Sequence, residues 1–175
     1  SHETTKCCLR ALMFIARFSK SNRILDYGCG TGILGIASKK IFKKSKVTFV
    51  DIDKDAVKLT KENLKLNNIL LKKVYLTNSY HSNKYTKKQF YDLIFANILF
   101  GPLKKLAPLF SLIIKPNSIL ILSGLLIEQI PYMINWYNKY GFKEKKIFYL
   151  NGWGSVIMMR THKERYCTWK KILNY

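Results

Sequence analysis

A glycine-rich stretch near the start of the chain carries the residue types best suited to holding a small ligand. Asp26 ends a short apolar run, and Gly28, Gly30 and Gly32 follow at alternate positions before an apolar helical pattern begins. This order predicts a strand, a tight turn and a helix, because glycine adopts backbone conformations that a Cβ forbids and lets a ligand touch the main chain. The N–H groups of the helix N-terminus then face the turn. The stretch indicates a nucleotide-type site; a plain tight turn is the alternative.

The spacing of these glycines narrows the kind of nucleotide. It is G-x-G-x-G and not the G-x-G-x-x-G of dinucleotide-binding folds, which disfavours NAD. A second carboxylate, Asp51, ends the next apolar run. A carboxylate at that place can accept hydrogen bonds from both hydroxyls of a ribose. The alternative for Asp51 is a helix N-cap, but Asp53 is better placed for that role.

Asn97 ends a later apolar run and could act on an amine. Its amide oxygen can accept a hydrogen bond from an amine and so orient the nitrogen lone pair. The alternative is an Asx turn that leads into the helix opened by Pro102. Substrate chemistry is therefore predicted beside the end of this strand, at Asn97.

A polar cluster, His2-Glu3-Thr4-Thr5, opens the chain's first helical pattern. If that helix packs beside the glycine turn, the cluster reaches the site; a capping motif explains it equally well in isolation. His81 and His162 fall in a polar loop and a basic tail and are interpreted as surface residues. The sequence shows no Ser/His/Asp set and no phosphate-binding G-x-x-x-x-G-K-[ST] motif.

These residues require a scaffold that brings the ends of several strands to one edge, and alternating apolar patterns supply it. Strands are predicted at 23–27, 47–50, 74–76, 91–96, 118–123, 142–150 and 153–159, and helices at 8–18, 32–41, 54–66, 102–114 and 131–140. Residues 115–117 are predicted to turn the chain, and Asn151-Gly152 to form a hairpin. The pattern predicts an α/β fold: a Rossmann-like doubly wound, mostly parallel seven-stranded sheet with a C-terminal antiparallel hairpin.

Composition bounds the class of protein. The length of 175 residues suits one domain, predicted at 1–160, with a basic tail at 161–175. Four cysteines without a C-x-x-C pair predict free thiols in a reducing cytosol and no metal site. The longest apolar segment, 119–127, is about half the length of a membrane span. A cytoplasmic protein without a membrane partner is expected.

The formal net charge of +21 has two interpretations. A nucleic-acid or ribosomal partner would explain it, since a basic surface attracts polyanions. Compositional drift would explain it too, because lysine supplies 26 of the 31 basic residues and the lysines are scattered. Both explanations stay open, and a weak RNA contact through the basic surface is expected.

Several of these motifs resemble those of class I S-adenosylmethionine-dependent methyltransferases: Asp26 to Gly32, Asp51, and Asp92 to Leu99. The finer resemblance is to the PrmA family, the lysine and α-amine methyltransferases of large-subunit ribosomal protein eleven. Its hallmarks are matched by residues 2–5, by Asp51-Ile52-Asp53, and by Ala96 to Leu103; residues 123–126 and 152–153 are also similar. The resemblance covers about residues 1–160.

The resemblance implies S-adenosylmethionine as cofactor and a ribosomal protein as substrate, methylated on lysine side chains, the N-terminal amine or both. The glycine turn would hold the amino-acid end of the cofactor, Asp51 its ribose, and Ile52 with Asn78 and Ser79 its adenine. Asn97 would be the catalytic residue. The residues expected to bind the cofactor are Thr4, Thr5, Asp26, Gly28, Gly30, Gly32, Asp51, Ile52 and Asn97.

Members of the PrmA family also carry an N-terminal substrate-recognition domain and linker, which we expect to be missing here. A monomeric catalytic half without substrate capture is expected. An RNA methyltransferase of the same fold is one alternative; the charge favours it, but Asn97 lacks the following Pro-Pro-aromatic that stacks a flipped base. A cofactor-binding remnant without turnover is the other alternative.

Overall fold

The computed structural model describes residues 2–70, 73–77, 84–88 and 90–161. Its helices are α1 (His2–Ile15), α2 (Ile33–Ile41), α3 (Lys54–Leu66), α4 (Phe100–Ile113) and α5 (Ile130–Asn138). Its strands are β1 (Arg23–Tyr27), β2 (Lys46–Asp51), β3 (Val74–Leu76), β4 (Tyr91–Asn97), β5 (Ile114–Leu126), β6 (Phe142–Leu150) and β7 (Trp153–Arg160). None of the helices in these ranges is long and apolar enough to cross a membrane.

The seven strands form one mixed sheet in the order β3-β2-β1-β4-β5-β7-β6. Strands β1 to β5 are parallel to one another, whereas β7 runs antiparallel to both of its neighbours, β5 and β6. The order reverses between β1 and β4, which is where open α/β sheets bind ligands. The predicted Rossmann-like sheet with a C-terminal antiparallel hairpin is confirmed.

Helices cover both faces of the sheet, and each face has its own core. On one face α1, α2 and α3 pack over a cluster that includes Leu12, Phe49 and Phe95. On the other face α4 and α5 pack over a cluster that includes Phe110 and Tyr137. In β1, Ile24 belongs to the core under α1, α2 and α3, and Leu25 belongs to the other core. Because successive strand residues point to opposite faces, Asp26 points to the same face as Ile24, the face that α1, α2 and α3 cover.

The same alternation places the other polar strand ends. Asp51 follows Phe49 by two residues, Asn97 follows Phe95 by two, and Phe49 and Phe95 belong to the core under α1, α2 and α3. Ser123 is aligned with Asn97 in the β4–β5 register. The polar side chains at the carboxyl edge of the sheet therefore share the face that α1 and α2 cover.

Two predicted boundaries are wrong. Helix α1 begins at His2 rather than residue 8. Helix α4 begins at Phe100, and Pro102 lies in its first turn as predicted, because proline fits that position. Residues 115–117 do not turn the chain into a new strand, because β5 already starts at Ile114. Between Tyr91 and Leu93 the register jumps from Ile114 to Ile119, so this segment is an irregularity inside β5.

Candidate functional site

The glycine turn is anchored to the neighbouring strand. The backbone N–H groups of Gly28 and Cys29 both donate to the carbonyl of Val50 in β2, at 2.8 and 3.1 Å. Gly28, Gly30 and Gly32 have φ values of +71°, +55° and +77°, a region that disfavours residues with a side chain. A Cβ built on Gly30 meets nothing within 4 Å. The half-buried middle glycine of the turn thus has open space beside its Cα.

Ile98, directly after β4, packs closely against the turn. A Cβ on Gly28 would lie 2.3 Å from its Cγ2 atom, and a Cβ on Gly124 would lie 2.3 Å from its carbonyl oxygen. Both glycines have positive φ. The ends of β1, β4 and β5 are therefore joined at this point by contacts that only glycine permits.

Two side chains of α3 brace the turn and were not predicted as site residues. The Thr60 hydroxyl donates to the Gly30 carbonyl at 3.0 Å, and the Asn63 amide donates to the Thr31 carbonyl at 2.9 Å. These two hydrogen bonds hold carbonyl groups of the turn against α3. The three-residue spacing of Thr60 and Asn63, which puts them on one helix face, was the only signal in the sequence.

Asp26 lies buried beneath the turn, with 1% of its surface exposed. Its Oδ2 accepts from the Gly35 N–H of α2 at 2.8 Å, whereas its Oδ1 has no protein partner among the described residues. The pKa of Asp26 is raised from 3.8 to about 7, chiefly by burial and to a smaller extent by the nearby Asp51 carboxylate, while the hydrogen bond from Gly35 opposes the shift. An unpaired buried carboxylate oxygen is a favourable acceptor for a cationic group.

Replacing this carboxyl should alter the pH dependence of stability. Because the pKa of Asp26 is higher in the folded than in the unfolded state, protonated Asp26 contributes to the free energy of unfolding at low pH. This contribution is lost as pH rises from 3.8 to about 7. Asp26→Asn stays neutral and can still accept from Gly35, so its free energy of unfolding relative to the parent should increase between about pH 4 and about pH 7, the interval between the unfolded and folded pKa of Asp26. Urea unfolding measures this difference. Glu62→Gln, at an exposed site on α3, is the control; a flat difference for Asp26→Asn would contradict the assignment.

Asp51 links the second strand to the glycine turn. Its Oδ2 accepts from the Gly30 N–H at 2.8 Å and its Oδ1 from the Asp53 N–H at 3.0 Å. Each carboxylate oxygen has a second lone pair, so both can still accept from a ligand hydroxyl. Asp53 is the N-cap of α3, as predicted, and accepts from the Asp55 N–H. Asp51 is therefore not required as a helix cap.

The start of α1 reaches the end of β4, so the polar cluster does lie beside the site. The Asn97 amide donates from Nδ2 to the Thr5 hydroxyl at 3.4 Å. The Ser123 hydroxyl donates to the Thr4 carbonyl at 3.2 Å, and Ser155 donates to Ser123 at 2.6 Å. Side chains of β5 and β7 thus fix the first turn of α1 beside Asn97. Thr4 is buried and Thr5 half-buried.

The remaining predicted residues divide into two groups. Ile52 follows β2 and is 74% exposed, so its apolar side chain is accessible at the edge of the site. Asn78, Ser79, His81 and His162 lie outside the described residues. In the described part of the chain, no group of three or more His, Cys, Asp or Glu side chains could hold a metal ion.

The sheet order, the glycine turn at the switch point and the carboxylate after β2 define a class I S-adenosylmethionine-dependent methyltransferase fold. Residues 1–161 match the family model described as ribosomal protein L11 methyltransferase (PrmA). The chain belongs to this family, whose cofactor is S-adenosylmethionine.

Individual relatives agree. The chain is 34% identical over 161 residues to the ribosomal protein L11 methyltransferase of Rhodopseudomonas palustris, covering 91% of this chain and 54% of the relative. It is 38% identical over 143 residues to that of Hydrogenovibrio crunogenus, covering 82% and 45%. The crystal structure of ribosomal protein L11 methylase from Lactobacillus delbrueckii superposes with a TM-score of 0.79 at 26% identity, covering 93% of this chain and 81% of that one. The chain spans about half the length of the curated relatives it matches.

Proposed function

We propose that this chain is the catalytic part of a methyltransferase that uses S-adenosylmethionine to methylate amines of a ribosomal protein. The target amines would be lysine side chains, the N-terminal amine or both. The observation that carries the proposal is a convergence: the glycine turn, Asp51, and Asn97 with Thr5 lie at one edge and on one face of the sheet. Family membership supports both the reaction and the acceptor.

The chemistry of these donors and acceptors fits the cofactor. S-adenosylmethionine has an ammonium, a carboxylate, two ribose hydroxyls and an adenine. The site offers a buried carboxylate with an unpartnered oxygen at Asp26 and open space beside the Cα of Gly30. It also offers a second carboxylate at Asp51 and an exposed apolar side chain at Ile52. We assign these four residues to the ammonium, amino-acid end, ribose and adenine.

The hydroxyls of α1 complete the amino-acid end in this proposal. Thr4 and Thr5 lie in the first turn of α1, where N–H groups and hydroxyls favour an anion such as the cofactor carboxylate. Gly28 and Gly32 would allow the turn its shape around the same end of the cofactor, since a Cβ at Gly28 meets Ile98 and a Cβ at Gly32 meets Thr60.

S-adenosylmethionine, when bound, would supply a methyl group on a sulfonium; the amine nitrogen would bond to that carbon as the C–S bond breaks and the neutral thioether leaves. The protein then has to align the amine lone pair, and alignment alone lowers the barrier strongly. Asn97 donates through Nδ2 to Thr5, so its Oδ1 is the atom assigned to accept from the amine. A lysine amine has a pKa of about 10.4 and must first lose a proton. Desolvation between Ile98 and Asn97 would lower that pKa.

Methyl transfer to purified acceptors tests the proposal. The chain, labelled S-adenosylmethionine and free ribosomal protein L11 are incubated together, and mass spectrometry locates the added methyl groups. We expect methylated amines on the protein and no label on a ribosomal RNA fragment supplied in its place. Label on the RNA alone would instead indicate an RNA methyltransferase. Absence of label on both acceptors, with cofactor binding retained, would indicate a cofactor-binding remnant.

A further inference from the structure

A groove of about 400 Å³ lies between α1 and the edge strand β6. It is lined by Leu9, Arg10, Met13, Phe14, Arg17 and Phe148. None of these residues takes part in the candidate active site. The groove is open to solvent, and its lining combines flat aromatic rings, aliphatic side chains and cations.

The aromatic rings lie on both walls of the groove. The Phe14 and Phe148 rings are 6.0 Å apart between centroids, and Phe18 packs edge-on against Phe14 at 5.1 Å. Phe18 is 65% exposed and Met13 is 61% exposed. Exposed apolar side chains that adjoin one another on a charged protein are typical of a binding surface.

Three cations lie in or beside the groove. Arg10 lies on α1 and Arg17 in the turn that follows Ile15, the last residue of α1, and both side chains line the groove. Lys146 of β6 lies opposite, with Nζ 4.5 Å from the Phe14 ring centroid and 5.7 Å from that of Phe148. No carboxylate lines the groove among the described residues. Charge complementarity therefore requires an anionic occupant.

The arginines distinguish this surface from the scattered lysines. The chain has five arginines among its 31 basic residues, and two of the five line this groove. A compositional drift toward lysine does not account for two arginines that line one groove beside aromatic rings. The planar guanidinium suits phosphate and stacks on flat rings, which an ammonium does less well.

We propose that this α1–β6 groove binds single-stranded RNA. Aromatic rings that stack bases and cations that track phosphates are the two features of single-strand nucleic-acid surfaces. In this arrangement bases stack on Phe14 and Phe148 while Arg10 and Arg17 pair with phosphates. The flexible Lys146 side chain, which lies over the rings in the free protein, moves to a phosphate. The surface is separate from the methyl-transfer site, so the proposal does not depend on the proposed function.

The contribution of the cations is tested by the salt dependence of binding. A fluorescently labelled single-stranded RNA of about 12 nucleotides is titrated with the chain at several salt concentrations and followed by anisotropy. Arg10→Gln with Arg17→Gln should reduce the log–log salt slope by about 1.4, because each phosphate neutralised on a single strand adds about 0.7 to that slope. Lys58→Gln with Lys65→Gln, on α3, is the matched control, since it removes two exposed charges that are seven residues apart in sequence, as Arg10 and Arg17 are. Equal effects of the two pairs would overturn the proposal.

Stacking is tested by removing the rings and keeping the apolar volume. Phe14→Leu with Phe148→Leu should weaken RNA binding at least about fivefold, because leucine cannot stack a base. Tyr132→Leu, at an exposed ring on α5, should leave binding unchanged. A peptide of glutamate and leucine serves as the alternative anion. If it binds more tightly than RNA and tolerates the leucine variants, the occupant is an acidic peptide and the proposal fails. S-adenosylmethionine titration of every variant reports folding and the active site separately.

Discussion

Asp51→Ala is expected to abolish measurable binding of S-adenosylmethionine. The substitution removes the only side chain assigned to the ribose hydroxyls. It also releases the Gly30 and Asp53 N–H groups that the carboxylate holds at 2.8 and 3.0 Å. Hydrogen bonds to a charged group contribute about 1.5–3 kcal/mol each, so losing two weakens binding by about 100-fold or more. Calorimetric titration of the parent and the variant measures the change.

Two further variants make the result specific. Asp55→Ala removes an exposed carboxylate in the first turn of α3 and should leave affinity within about twofold, as surface charges contribute little. Asp51→Asn keeps the shape but only one acceptor oxygen, so its affinity should fall between those of the parent and Asp51→Ala. Affinity of Asp51→Ala close to that of the parent would refute the ribose assignment. If the unmutated chain itself does not bind, the proposed function fails.

Asn97→Ala is expected to lower kcat by about 100-fold while the cofactor affinity changes far less. The amide oxygen is assigned to the attacking amine, and a misaligned nucleophile loses rate rather than ground-state binding. Truncation also removes the 3.4 Å hydrogen bond to Thr5, so the first turn of α1 is held less firmly against β4. Methyl transfer to ribosomal protein L11 at saturating cofactor measures kcat, and calorimetry measures the cofactor affinity.

Thr5→Val tests whether the Asn97 side chain must be held in place by its hydrogen bond to Thr5, separately from whether its Oδ1 is needed as an acceptor. This variant keeps the amide and removes the hydroxyl that accepts from its Nδ2. Its kcat should fall by less than that of Asn97→Ala, about threefold to tenfold. Asn135→Ala, an exposed asparagine on α5, is the control and should match the parent. A kcat for Asn97→Ala above about a third of the parental value would exclude a direct role for Asn97.

The parts of the site that follow from local pattern could be predicted. Three glycines between an apolar run and a helical pattern predicted the turn at 28–32, and each has the positive φ that the spacing requires. Asp51 and Asn97 were predicted at strand ends because each terminates an apolar run, and both occupy the last residue of a strand. The side-chain alternation of strands then sets the face on which they meet.

The parts that depend on distant contacts could not be predicted. Thr60 is thirty residues from the carbonyl that it holds, and Ser123 is 119 residues from Thr4. Hydrogen bonds between residues so far apart in sequence produce no local spacing pattern from which they could be predicted. The extent of β5 was wrong for a related reason: Lys115-Pro116-Asn117 has the composition of a turn, yet pairing of Ile114 with Tyr91 extends the strand past it. Sheet pairing overrode the local preference.

The hydrogen bonds between the first turn of α1 and strands β5 and β7 affect how the domain is made. Helix α1 is synthesised before its partner residues Ser123 and Ser155, which follow it by more than a hundred residues. Strand β7 also lies between β5 and β6, so the seven-stranded order is complete only after the β6–β7 hairpin has formed. The edge of the sheet that we assign to the amine is therefore complete only after β7 has been synthesised and has paired, because its contacts join residues that are distant in sequence.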